Sequence, residues 1–411
     1  MDERPVLLRD ASLLDPRDAR VVPDRSILVE RGRIAKVGGP ELEAPGATAL
    51  SAGGRTVMPG LIDAHVHVCA VTADLSALAE WPASYVAARA AHVLKGMLYR
   101  GFTTVRDVGG ADYGLAEAVD EGWFEGPRIV HGGKALSQTG GHGDFRHRGR
   151  SAFDGCYCMP AMSRLCDGVA EVRKAARDEI RRGARHIKVM LSGGVASPTD
   201  RVDSSQFSLE EIRAAVEEAG NANLYVTGHA YTAAAINRGL ECGVRCIEHG
   251  NMLDESSIEL FLEQGAFYVP TLSTYAALAE HGLEFGLPPE SHRKVFQVLD
   301  AGRGALEAAH RAGVQIAYGT DLLGGMHEHQ LDEFELRSQV QPAADVIRAA
   351  TTTAARLLRM EGQVGEIVPG ALADLLVVDG DPLCNLSVLG DPAHRLLLVM
   401  KDGRVTKNQL A

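Results

Sequence analysis

No apolar run in this 411-residue chain approaches the ~20 residues that a membrane helix needs. Basic residues are not in excess: Lys and Arg number 42 against 54 Asp and Glu, a formal net charge of -12. Phosphate-backbone binding is driven by clustered Lys and Arg, so a nucleic-acid partner is not expected. Cysteines are few and odd in number, seven in all: Cys69, Cys156, Cys158, Cys166, Cys242, Cys246 and Cys384. An odd count scattered over a long chain does not read as a disulfide framework. Cys156, Cys158 and Cys166 form the one cluster, and loop or core thiols are a better reading of it than a zinc knuckle. The opening MDERPVLLRD has acidic residues and no sustained apolar core, so it does not read as a secretory signal, and the cytoplasm is the expected compartment. Internal repeats and low-complexity tracts are missing too.

What is present points to a folded chain of more than one ordinary domain, with 45% hydrophobic and 23% charged residues. Both ends look strand-rich. SILVERGRIAKVGG reads as a hairpin around ERGR, and GEIVPGALADLLVVDGDP and LLLVMKDGRVTKN repeat the strand-then-turn style. The expectation is a small β-sandwich domain built from residues 1–57 and 360–411. The intervening residues 58–359 alternate. Strand-like runs occur at VMPGLIDAHVH, FTTVRDVG, PRIVHGGKAL, HIKVMLS, LYVTGHA, RCIEHG, FYVPTLS and QIAYGTD. Ala-rich helical stretches lie between them, such as SYVAARAAHVLKGMLYR and LEEIRAAVEEAG. Eight strands, each followed by a helix, predict an α/β fold of the (β/α)8 TIM-barrel type. A dinucleotide-binding sheet is disfavoured because no glycine-rich phosphate fingerprint follows the first strand. The stretch 137–165 is long, Gly-rich and aperiodic, as functional loops often are.

His65 and His67 sit at positions i and i+2 of a strand, so both imidazoles face one way. Alone, the pair fits half a metal site or two core histidines bonded to backbone. It is not alone. His229 ends LYVTGH, His249 ends RCIEH, Asp321 ends QIAYGTD, and Lys188 lies inside HIKVML. In a barrel these strand ends converge on one rim, where active sites lie. That convergence favours metal binding over separate structural explanations. Lys188 has two readings. Burial favours its neutral amine, which can take up carbon dioxide as an anionic carbamate with two oxygens; alternatively it pairs with an acid across the barrel.

These segments together resemble the amidohydrolase superfamily with its binuclear-metal pattern. The likeness is carried by VMPGLIDAHVH (57–67), HIKVMLSGG (186–194), VTGHAYT (226–232), IEHGN (247–251), YGTD (318–321) and GEIVPGALADLLVVDGDPL (365–383). LSQTGGHGD (136–144) and GHAYT are similar to the branch of metal-dependent dipeptidases and carboxypeptidases, including prolidase-like, Xaa-Arg/Lys-cleaving and ochratoxin-hydrolysing enzymes. The resemblance implies that His65, His67 and Asp321 hold a first, more buried metal, and that His229 and His249 hold a second. A carboxylated Lys188 and a hydroxide would bridge them. Zinc is the default for these donors, with manganese, cobalt or iron as alternatives.

Two such cations ~3.5–4 Å apart make hydroxide available at neutral pH. Asp321 is then placed to take its proton and pass it to the departing amine. His142, in the long loop, is expected to donate a hydrogen bond to the developing oxyanion, its bland alternative being a loop-stabilising bond. Tyr231 is expected to bind a substrate carboxylate, its alternative being loop packing. His327 and His329 read as solvated rim residues, and Arg106 with Asp107 as a structural ion pair. The implied reaction is cleavage of the amide bond to a C-terminal amino acid in dipeptides or N-acyl amino acids, with ochratoxin-type N-aroyl phenylalanine as one fitting substrate. Cyclic-amide hydrolysis, another reaction of the same superfamily, or a non-catalytic oligomeric scaffold are the alternatives. Relatives in this branch imply a homo-oligomer, with octamers as a precedent, and a small-molecule substrate as the partner, with neither membrane nor nucleic acid.

Overall fold

The computed structural model describes residues 4–149 and 160–410; Cys156 and Cys158 lie outside them. Strands from both ends of the chain share one sheet. Five from the N-terminal side (Val6–Asp15, Arg20–Glu30, Arg33–Gly38, Thr48–Ser51, Thr56–Pro59) join three from the C-terminal side (Leu375–Val378, Leu396–Lys401, Arg404–Asn408). The seam is antiparallel, with Met58 opposite Leu376. Two hairpins end in two-residue turns, Arg31-Gly32 and Asp402-Gly403, all four residues with positive φ. Such turns match the twist of paired strands, and Gly adopts this backbone without steric cost. Leu8, Val29, Val57, Leu375, Val377 and Leu398 are buried together in the core of this sheet. Each contributes roughly 1.5–3 kcal/mol of transfer free energy.

Every strand in the central part of the chain pairs in parallel. Leu61–Val66, Phe102–Asp107 and Arg128–His131 form one run. Ser163–Leu165, Ala135–Ser137, Ile187–Met190, Val226–Thr232, Cys246–Met252, Phe267–Val269 and Gln315–Ile316 form the other, in that spatial order. Backbone bonds link the two runs at both ends. Arg185 N–H donates to His131 O, while Ala64 N–H donates to Tyr318 O and Asp321 N–H to His65 O. The last strand is regular only at Gln315–Ile316; residues 317–321 continue it through bonds to both neighbours.

Helices cover the outer side of these strands. Leu209–Asn221 shows why: Ser208 and Glu211 form a reciprocal capping box, and Ile212, Ala215 and Ala219 fall on one buried face. Ala83–Tyr99, Gly168–Arg181 and Ala233–Glu241 bury comparable faces. Two expected elements are broken. The run 57–67 divides at Gly60, so Thr56–Pro59 belongs to the terminal sheet and Leu61–Val66 to the parallel strands. The strand-like run PRIVHGGKAL divides into Arg128–His131 and Ala135–Ser137. No helix among the described residues is long and apolar enough to cross a membrane.

Candidate active site

His65 lies near the end of the strand Leu61–Val66, whose six residues are all buried, and His67 follows just past it. Its Nδ1 lies 2.7 Å from Glu248 Oε2, which fixes the proton on that nitrogen and turns Nε2 inward as a lone pair. His67 is oriented the same way: its Nδ1 lies 2.7 Å from Gly109 O, a carbonyl that can only accept. The two Nε2 atoms then converge on one oxygen, Asp321 Oδ1, at 3.2 and 3.3 Å. His65 Nε2 is fully buried and makes no hydrogen bond. A buried lone pair beside a carboxylate is costly unless a cation sits between them. The ligand atoms of His65, His67 and Asp321 all lie within 4.8 Å of one another.

The other candidates surround this trio. His249 Nδ1 is held 2.8 Å from Thr271 Oγ1 and lies 3.8 Å from Asp321 Oδ2. His249 and Asp321 both have positive φ, 71° and 55°, uncommon for residues with side chains and frequent at functional sites. His229 turns its Nε2 to Gly193 O at 3.1 Å and packs edge-on against the His249 ring, 4.6 Å between centroids. Lys188 is buried and, among the described residues, no hydrogen bond or ion pair reaches its amine. Among the described residues the expected alternative, an acid across the strands, makes no ion pair with it, although Glu248 and Asp321 act on the amine electrostatically. Burial pushes the Lys188 pKa down, towards the neutral amine, and pushes the His229 and His249 imidazoles well below their usual range.

All six candidate ligands line one cavity, together with His142 and Tyr231. His142 stacks on His229 at 4.1 Å, and burial pushes it down to about 4. The Tyr231 hydroxyl accepts from the Tyr275 hydroxyl at 3.1 Å. Leu75, Phe145, Met162, Val195 and Leu278 supply apolar wall. His327 and His329 stay outside the cavity. His327 is not solvated: it is buried, with Nε2 3.2 Å from Ala70 O, whereas His329 pairs with Asp332. Cys166 is buried, and its thiol is pushed up to about 12.

Arg106 does not pair with Asp107. Its Nη2 lies 2.6 Å from Glu248 Oε1, while Asp107 accepts from the amides of Val68, Gly109 and Ala111. Reasoning from sequence missed Glu248 as the anchor of His65. The available signal was an acidic residue inside the apolar run RCIEHG.

Residues 56–406 match the amidohydrolase family. The chain belongs to this family. It is similar to the ochratoxinase of Aspergillus niger, with 34% identity over 425 residues, covering 99% of this chain and 88% of that one. Among solved structures it resembles a prolidase complexed with N-methylphosphonate-L-proline, at 48% identity and a TM-score of 0.96, covering 98% of this chain and 100% of that one. It also resembles a Xaa-Pro dipeptidase with bound methionine, at 30% identity and a TM-score of 0.89, with 98% and 100% coverage. This amidohydrolase is therefore a hydrolase, of a family that uses divalent metal and acts on small molecules.

Proposed function

We propose that this amidohydrolase is a binuclear metal-dependent enzyme that cleaves the amide bond to a C-terminal amino acid in dipeptides or N-acyl amino acids. The observation that carries the reading is the convergence of His65 Nε2 and His67 Nε2 on Asp321 Oδ1, with both Nδ1 atoms tied away. Support for the substrate class comes from the relatives, named for ochratoxin, prolyl and Xaa-Pro substrates. The parallel strands are read as a closed (β/α)8 barrel over residues 58–359, supported by the backbone bonds that join the two runs. Residues 1–57 and 360–411 are read as the composite β-sandwich.

His65, His67 and Asp321 would hold one cation, His229 and His249 the other, and Lys188 would bridge them. Two divalent cations, zinc by the character of the donors, would supply Lewis acidity that acidifies water and polarises the scissile carbonyl. Lys188 reaches its bridging form when the neutral amine attacks carbon dioxide and loses a proton, which yields a carbamate. Asp321 takes the proton of the attacking water and delivers it to the departing amine nitrogen. The Tyr231 hydroxyl, backed by Tyr275, donates to a substrate oxygen. His142, stacked on His229, borders the substrate. Among the described residues, the walls carry no acidic or basic side chain beyond the candidate ligands and His142, which favours neutral, apolar groups on both sides of the bond.

The test is a hydrolysis screen of metal-replete, bicarbonate-treated protein. The panel is dipeptides and N-acyl amino acids varied at the C-terminal residue, with dihydroorotate, hydantoins and lactones as controls. Release of free proline or an aromatic amino acid is expected. Turnover of the ring substrates alone would replace this reading with cyclic-amide hydrolysis.

A further inference from the structure

Behind His142 lies a chain of buried polar groups with no role in the scheme above. Its Nδ1 is 2.8 Å from Ser197 Oγ, and the same hydroxyl is hydrogen-bonded to Asp200 Oδ1. Asp200 Oδ2 accepts from Gly194 N at 3.1 Å and from Gln206 Nε2 at 3.0 Å. Gln206 turns its carbonyl the other way and accepts from His142 N at 2.8 Å. Lys294, about a hundred residues further along the chain, closes the arrangement. Its ammonium donates to Gly194 O and Ser197 O at 3.0 and 2.8 Å and lies 3.5 Å from Asp200 Oδ1.

The direction of these bonds follows from counting protons. A carboxylate only accepts, and a serine hydroxyl has one hydrogen. That hydrogen goes to Asp200, which is shorter and charged, in preference to Gly194 O at 3.3 Å. The Ser197 oxygen is left as an acceptor, so the hydrogen between it and His142 belongs to Nδ1. His142 Nε2 makes no hydrogen bond among the described residues, and the ring borders the cavity.

We propose that Asp200, acting through Ser197, is a positioning residue that fixes the tautomer and direction of His142, so that Nε2 is the nitrogen that meets the substrate. This rests on the reading that His142 borders bound substrate. With Nδ1 committed to Ser197, Nε2 is the nitrogen that accepts from a substrate N–H or O–H or, once protonated, donates. Donation to an oxyanion, the role expected from the sequence, requires the imidazolium, with both nitrogens protonated. Lys294 and Gln206 both reach the Asp200 carboxylate, which holds it in place and keeps the hydroxyl pointing one way. The logic is that of a carboxylate orienting a histidine, with a serine hydroxyl interposed.

The experiment uses the zinc-loaded full chain labelled with 15N-histidine, the His142 signals being assigned by their loss in His142→Asn. The expected spectrum shows Nδ1 protonated and Nε2 bare in the wild type, with a mixture of tautomers in Ser197→Ala and Asp200→Asn. Both variants should lose about 10–100-fold in kcat/KM at unchanged zinc content, the usual effect of removing an orienting partner. Ser197→Thr, which keeps the hydroxyl, should restore both the tautomer and the rate. A wild-type spectrum with the proton on Nε2, or a tautomer unmoved in Ser197→Ala, would overturn the relay. Wild-type kcat/KM in His142→Asn would overturn the reading of His142 at the substrate, and the relay's purpose with it.

Discussion

Glu248 Oε2 lies 2.7 Å from His65 Nδ1, and Glu248 Oε1 lies 2.6 Å from Arg106 Nη2, with all three side chains fully buried. One carboxylate thus sets the tautomer of a candidate ligand and neutralises a buried guanidinium. Desolvation alone would raise the Glu248 pKa, but Arg106 and His65 hold it well below the usual range. Glu248→Gln removes the charge while keeping the shape. We expect metal affinity to fall about 10–100-fold. Stability should fall by about 3–5 kcal/mol, because Arg106 becomes an unpaired buried charge. Metal titration and urea unfolding read the two effects separately; unchanged metal affinity would show that Glu248 serves the fold alone.

Asp321→Asn is expected to reduce kcat by at least about 100-fold, the low end for loss of a positioned acid–base group. The fold should persist, because Asp321 has a φ of 55° and Asn is among the residues that best tolerate this region. Circular dichroism with steady-state kinetics checks both halves. A near-normal kcat would remove Asp321 from proton transfer.

Tyr231→Phe deletes a hydroxyl that accepts from the Tyr275 hydroxyl at 3.1 Å. If the phenol donates to a charged or developing-charge oxygen, the loss is about 1.5–3 kcal/mol, or roughly 10–150-fold in kcat/KM. Metal content should not change. Equal kcat/KM in the variant would reduce Tyr231 to packing.

Gly194→Ala tests the cavity's shape. A Cβ at Gly194 would overlap the His142 imidazole, so the ring must move. Displacements of about 1 Å at a reacting centre can cost about 100-fold in rate, and we expect kcat/KM to fall by that order with bound metal unchanged. Wild-type kinetics would mean that the position of His142 does not matter.

Much of this was legible in the sequence because five of the eight strand-like runs of the central part end in, or contain, a candidate ligand. His65 lies in the strand Leu61–Val66 and His67 just past its end, and His229, His249 and Asp321 each close a strand-like run, so the pattern put them close to one another. Long-range pairings were not legible. Glu248 reaches His65 across 183 positions, and Lys294 reaches Ser197 across 97, and no local periodicity encodes either. Local strand signals also failed where the chain changes partners. At Gly60 it leaves the terminal sheet for the parallel strands, and PRIVHGGKAL divides at Gly132 and Gly133 between Arg128–His131 and Ala135–Ser137. His327 was misjudged because a buried loop histidine bonded to backbone resembles an exposed one in sequence.

The central claim is that one cavity holds two cations bridged through Lys188, and counting metal per chain tests it most directly. Wild-type and Lys188→Ala proteins, both loaded with zinc and bicarbonate and freed of excess metal, would be assayed by mass spectrometry of the metal. The account predicts two zinc ions per wild-type chain, and one or fewer in the variant with activity lost. Two ions in both proteins with activity retained, or at most one in the wild type, would contradict it.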